Sequence, residues 1–185
     1  MLDFLYLCDM FCPYNMDVKL LPIDLLVVLK LATTVRAMAS VRSLEQELGL
    51  SKSAAANSLH RLRELDLVKD SPDGRRVNKL LLRDLLEHAV RWIAPARVGE
   101  FELGLPTAHA AEPLIGKLAG DEDPVVIPLP HGPVRGRAVS PLHPLAPAAA
   151  AKDPKLHRLL AVVDALRIGR ARDRQLASAE LRVCL

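Results

Sequence analysis

The chain has 185 residues, half of them hydrophobic and a quarter charged, with a formal net charge of +3. That is enough apolar material to bury a core, which excludes wholesale disorder, and the charge is too small by itself to announce a nucleic-acid partner. Three cysteines at no disulfide spacing, Cys8, Cys12 and Cys184, fit a reducing cytoplasm and supply no complete metal-ligand set, so no metal or cofactor is expected.

Four of the six aromatic residues, Phe4, Tyr6, Phe11 and Tyr14, crowd into the first stretch. It has no basic leader, Asp3 and Asp9 interrupt it, and a secretory signal is not expected. Residues 1–16 read as an N-terminal arm packing on a partner subunit, or as sequence upstream of a working start at Met16.

From Ile23 to Ala39 the length is that of a helix, with Asp24 near its start and Arg36 near its end, as the helix dipole prefers. Asp24, Lys30 and Arg36 interrupt the run too often for a membrane span. The helix is apolar on nearly every side and must be covered on every side. A second subunit is a natural cover, so a homodimer is expected.

Ser43 is positioned to cap a short helix, "LEQEL", which Gly49 ends in the left-handed conformation. Ser51 caps a longer helix reaching about Leu65. Two helices joined by a short turn containing glycine form a helix-turn-helix unit. "LVKDSPDGRRVNKL" then reads as strand, turn and strand, Val68 and Val77 flanking "SPDG".

At 3.6 residues per turn, Ala55, Leu59 and Leu62 stack on one face of the second helix, with Ser58 and Leu65 beside them. Ser53, Asn57 and His60 lie opposite, flanked by Ala54, Ala56 and Arg61. Small residues let a backbone approach closely, and polar ones supply hydrogen bonds. The major groove of DNA admits a helix, where asparagine can bond an adenine edge twice and alanine can touch a thymine methyl. The candidate base-facing residues are therefore Ser53, Ala54, Ala56, Asn57 and His60, with Lys52 and Arg61 toward phosphates. The competing reading is an ordinary solvated helix, since alanine is also the best helix former.

Asn78 to Ile93 carries Leu82, Leu85, Leu86, Ala89 and Ile93 on one helical face and stops at Pro95. Nine of the fourteen prolines then fall between Pro106 and Pro147, which predicts loops and short extended pieces such as "VVIPL" and "VRGRAV". Asp153 and Pro154 start a last pair of helices, "KLHRLLAVVDALRI", amphipathic and ended by Gly169, and an arginine-rich one after it. His109, His131 and His143 lack metal-ligand spacing, and no nucleophile elbow, zinc-helix motif or phosphate loop appears, so an enzyme is not expected.

The stretch "SLEQELGLSKSAAANSLHRLRELDLVKDSPDGRR", Ser43 to Arg76, resembles the winged helix-turn-helix DNA-binding domain of bacterial transcription regulators, the MarR-like group in particular. The resemblance makes Ser51 to Leu65 a recognition helix and Asp70 to Arg76 a wing, whose Arg75 and Arg76 would meet phosphates or the minor groove. Two positions depart from that pattern. Glu45 replaces a small residue, and Asp66 replaces a glycine, although aspartate tolerates the left-handed conformation. The C-terminal half lacks the long dimerising helices of the MarR plan.

The resulting expectation is a mainly α protein with a small β-wing. It comprises the arm (1–16), a winged helix-turn-helix domain (17–97), a proline-rich segment with short strands (98–151) and a C-terminal helical hairpin (152–185). Double-stranded DNA is its partner and a dimeric repressor its function. The alternative is an autoregulating antitoxin or adaptor whose C-terminal helices bind a partner protein, such as a nucleotidyltransferase-like toxin.

Overall fold

A computed structural model describes residues 19–34, 40–72, 74–117 and 123–185. The arm at 1–16 and the end of the expected first helix at 35–39 lie outside them. Among the described residues the fold is mixed α/β, with eight α-helices and two small sheets.

Helix α1 spans Pro22–Thr33, with proline in its first turn and the Asp24 carboxylate accepting from the Leu21 amide at 2.9 Å. Leu25 through Leu29 are all fully buried. This burial on every side is what an all-round apolar helix requires, but the cover comes from the chain itself. Strand β2 and two helices introduced below, α3 and α7, pack on it. The expectation that α1 needs a second subunit is thereby corrected, because its apolar faces are already occupied.

Helix α2, Val41–Leu48, is capped by Ser40 and not by Ser43. The Ser40 hydroxyl accepts from the Ser43 amide, and the Ser43 hydroxyl accepts from the Ser40 amide, each at 3.0 Å. Gly49 ends α2 at φ 71°, where a side chain would be strained. Helix α3, Lys52–Glu64, follows at once, and Asp66 turns the chain at φ 55°. Strands β1, Val68–Ser71, and β2, Gly74–Val77, then pair antiparallel with Val68 opposite Val77. The predicted helix from Asn78 to Ile93 is broken in two: α4, Lys79–His88, and α5, Val90–Ile93, meet at Ala89. Leu82, Leu86 and Val90 carry its burial.

The proline-rich segment holds the two extended pieces expected in it, "VVIP" and "VRGRAV", and a third strand before them. Strand β3, Val98–Pro106, pairs antiparallel with both β4, Val125–Pro128, and β5, Val134–Val139, and β4 pairs parallel with β5. The three strands thus close on one another. Glycine permits the closure: a Cβ at Gly104 would lie 2.2 Å from the Ile127 carbonyl oxygen, and one at Gly136 2.3 Å from that of Pro124.

Helices α6, Ala146–Lys152, α7, Pro154–Ile168, and α8, Ala171–Cys184, complete the chain. Asp153 caps α7, accepting from the amides of Lys155 and Leu156. Helix α7 is not the amphipathic surface helix its sequence suggests. Every residue from Leu159 to Ala165 is buried, as are Leu166 and Arg167. The polar positions that look like a solvated stripe satisfy one another inside. Arg167 holds Asp164 at 2.6 Å and the Ala94 carbonyl at 2.7 Å, and the Thr107 hydroxyl donates to Asp164 at 2.7 Å. The docking role expected of Lys155 to Ile168 is corrected accordingly: one continuous core, from Leu25 to Leu181, runs through this helix.

A second charge cluster, centred on the buried Lys30, joins distant pieces. Lys30 of α1 reaches Asp153 at 2.6 Å and also pairs with Glu47 of α2. Burial acts to lower the Lys30 pKa, but the hydrogen bonds to Asp153 and Glu47 outweigh it and hold it above its usual value. For Asp153, burial acts to raise the pKa and the bond to Lys30 leads the effects that hold it below its usual range. A depressed aspartate contributes stability above its unfolded pKa, and a raised lysine contributes below its own. The stabilisation therefore covers neutral pH, is lost as pH falls through the depressed Asp153 value, and is lost at the alkaline end through that of Lys30. Asp153→Asn keeps a good helix cap while removing the charge. It should reduce stability at pH 7 by about 1.5 kcal/mol and flatten the acid limb of stability against pH, read by urea unfolding across the acid range.

Candidate nucleic-acid interface

Helix α3 divides as its period requires. Ala55, Ser58, Leu59 and Leu62 are buried against α1 and α2, while Lys52, Ser53, Ala56, Asn57 and His60 are exposed and Ala54 is half-buried. The Ser51 hydroxyl caps the helix, accepting from the Ala54 amide at 3.2 Å. Lys52 and Ser53 thus stand at the positive end of the helix dipole, which has no acidic residue in its first turn. Five exposed side chains, small or hydrogen-bonding, share one surface.

Arg61 stands apart from that group. Its Nε donates to Asp24 Oδ2 at 2.8 Å and its terminal nitrogen to Oδ1 at 2.7 Å, while the Asp24 side chain is wholly buried. The bond to Asp24 raises the Arg61 pKa. The sequence placed Arg61 toward phosphate; its guanidinium instead turns inward, because a buried carboxylate on α1 requires a cation. In the sequence Asp24 complements the helix dipole and interrupts an apolar run, and neither role names a partner. Its isolation in an apolar run was the signal for a paired partner.

The hairpin brings Lys69 opposite Arg76 and Asp70 opposite Arg75. Asp70 collects two arginines: Arg63 from the end of α3 at 2.7 Å and Arg75 at 3.4 Å. These bridges tie the hairpin to α3, and Arg63 was absent from the sequence-derived set. Arg75 is half-buried and Arg76 exposed. The structure therefore groups Lys52, Ser53, Ala54, Ala56, Asn57 and His60 on one helix, puts Arg75 and Arg76 on the adjoining hairpin, and draws Arg61 away.

The histidines of the proline-rich segment stay scattered. His109 Nε2 lies 3.3 Å from the Asp123 carbonyl oxygen, and His143 Nδ1 accepts from the Leu145 amide at 3.2 Å, where burial lowers the His143 pKa. His131 takes a left-handed backbone, φ 62°. Among the described residues no helix is long and apolar enough to cross a membrane.

Compared with known proteins, the chain matches no protein-family model, no curated protein and no solved structure. The functional reading accordingly rests on the geometry of α3 and the hairpin.

Proposed function

We propose that this chain is a winged helix-turn-helix transcription regulator that binds double-stranded DNA in a sequence-specific manner. Helix α3 enters the major groove, Ser53, Ala54, Ala56, Asn57 and His60 meet base edges, and Lys52, Arg75 and Arg76 meet phosphates. The observation that carries the reading is the split of α3. Both of its leucines and Ala55 are buried, and its opposite face exposes small and hydrogen-bonding residues, Ala56 among them, able to approach and read a groove. The order helix, glycine turn, helix and basic hairpin adds to it.

The proposal is of a binding protein, and it assigns no catalytic role to the chain. Repression, and the cytoplasm as its setting, belong to the proposal. A dimer is not needed by it, since α1 is covered within one chain. The antitoxin alternative keeps only α8 as a docking element: α7 is interior, whereas α8 buries just Ala177 and Leu181 and leaves Val183 80% exposed.

The test separates reading from holding. Asn57→Ala should weaken binding to the DNA upstream of the protein's own coding sequence by about 1–3 kcal/mol and leave random DNA nearly unaffected. Arg75→Gln with Arg76→Gln should weaken both DNAs and reduce the slope of log affinity against log salt. Gel-shift or anisotropy titrations give both numbers. An affinity indifferent to salt in the unaltered protein, or an unchanged operator-to-random ratio for Asn57→Ala, would sink this reading.

A further inference from the structure

Two cavities flank the C-terminal turn of α1, and Ala32 lines both. One, of about 420 Å³, is walled on its polar side by Thr34, Arg75, Arg76 and Lys79. The other, of about 410 Å³, has Thr33, Lys155 and Arg158. Five cations thus surround one helix end. Among the described residues lining the two cavities none is acidic and none aromatic. Such walls attract phosphate and offer no ring on which a base could stack.

The backbone adds to the positive potential. Lys79 and Lys155 occupy the first and second positions of α4 and α7, and neither helix has an acidic residue in its first turn. A helix N-terminus is the positive end of the dipole, where a lysine is disfavoured and an anion is favoured. Carboxylates already meet part of this surface: Asp70 pairs with Arg75, and Asp153, held by Lys30, caps the first turn of α7, while Lys155 and Arg158 extend beyond that cap. Lys79 also donates to the Leu185 carbonyl oxygen, so its ammonium already finds an oxygen acceptor there.

We infer that these cavities form one phosphate track, carrying the DNA backbone from the wing past the end of α1 to the first turn of α7, with Lys79, Lys155 and Arg158 as its contacts. The inference rests on the DNA-binding reading above and extends its footprint to two helices outside the helix-turn-helix unit. A polyanion fits better than a single small anion, because the cations divide between two cavities that share Ala32, and one group contains the wing arginines.

The test is a triple variant, Lys79→Gln, Lys155→Gln and Arg158→Gln, titrated with operator and random DNA over a range of salt. Each lost phosphate contact removes about 0.9 from the log–log slope, so a fall of about two to three is expected, with the operator-to-random ratio unchanged. Should the triple variant fail to fold, the pair Lys155→Gln and Arg158→Gln leaves the contact between Lys79 and Leu185 in place and should lower the slope by about one to two. A second readout comes from Cys184, whose half-buried thiol lines the second cavity. Its alkylation, followed by peptide mass, should slow when DNA is added.

An unmoved slope together with an unprotected Cys184 overturns the track, while DNA binding by the unaltered chain leaves the functional reading standing. A chain that binds no DNA overturns both. Saturable binding of inorganic pyrophosphate that the triple variant loses, with the DNA slope unmoved, overturns the track in favour of a small phosphorylated ligand.

Discussion

Asp24→Ala is expected to lower the stability of the protein by about 3 kcal/mol, measured as a fall in the urea midpoint at constant slope. Asp24 is fully buried and accepts both hydrogen bonds of Arg61 as well as the Leu21 amide that starts α1. Removing it strands a guanidinium whose side chain is 24% exposed. That exposure gives Arg61 a route toward water, which sets the loss near the lower end of the 3–5 kcal/mol typical of broken buried pairs. Asp24→Leu combined with Arg61→Leu removes both charges. It should lose less than the sum of the two single changes, since neither then leaves the other unpaired. Equal losses for the double variant and the sum would show that the pair does not act as a unit.

The same pair explains how α3 is held for its proposed task. Ala55, Leu59 and Leu62 fix the helix through apolar contact, which resists separation but is not directional. The two-pronged bond from Arg61 to Asp24 adds direction, pinning the C-terminal half of α3 to the start of α1. Arg63 and Arg75 then converge on Asp70, tying the hairpin to the end of the same helix. Orientation of the exposed face thus depends on charges that point away from it.

Local chemistry was the legible part of the sequence. The Ser51 cap, the left-handed Gly49 and Asp66, the pairing of Val68 with Val77 and the two faces of α3 all depend on neighbours within a few turns of chain. Long-range pairing was not legible. An all-round apolar α1 demanded a cover without naming it, and part of that cover, beside α3 and β2, is α7, more than a hundred residues downstream. Helix α7 read as amphipathic because Asp164 and Arg167 look solvated until Thr107 and Ala94 are brought beside them. Two of the strands, β4 and β5, were legible as extended pieces, but their closure with β3 was not, since β3 must find them across proline-rich loops. Among the site residues, Arg61 was misplaced for this reason: its period on the helix was right, and its partner lay elsewhere in the chain.

Ala56→Glu should abolish measurable operator binding, a loss of several kcal/mol or about a hundredfold and more. Ala56 is exposed beside Asn57 and His60 on the face of α3 that the proposal puts against the groove. A carboxylate there would lose its water against a surface lined by phosphates, and pairing with Lys52 one turn earlier would take that cation from its proposed phosphate. The fold should tolerate it. The position is exposed, glutamate is a good helix former, and the melting temperature should change little. Random DNA should weaken as well, because repulsion from phosphates does not depend on sequence. Ala171→Glu, at the exposed start of α8, provides the control for net charge. It adds the same charge away from the proposed face, so it should alter affinity only modestly, through an effect that salt screens. Equal weakening by both variants would mean that overall charge and not a particular helix face governs binding. No weakening by Ala56→Glu would mean that α3 is ordinary solvated surface. A large loss confined to Ala56→Glu is the one pattern that requires this helix to lie against DNA.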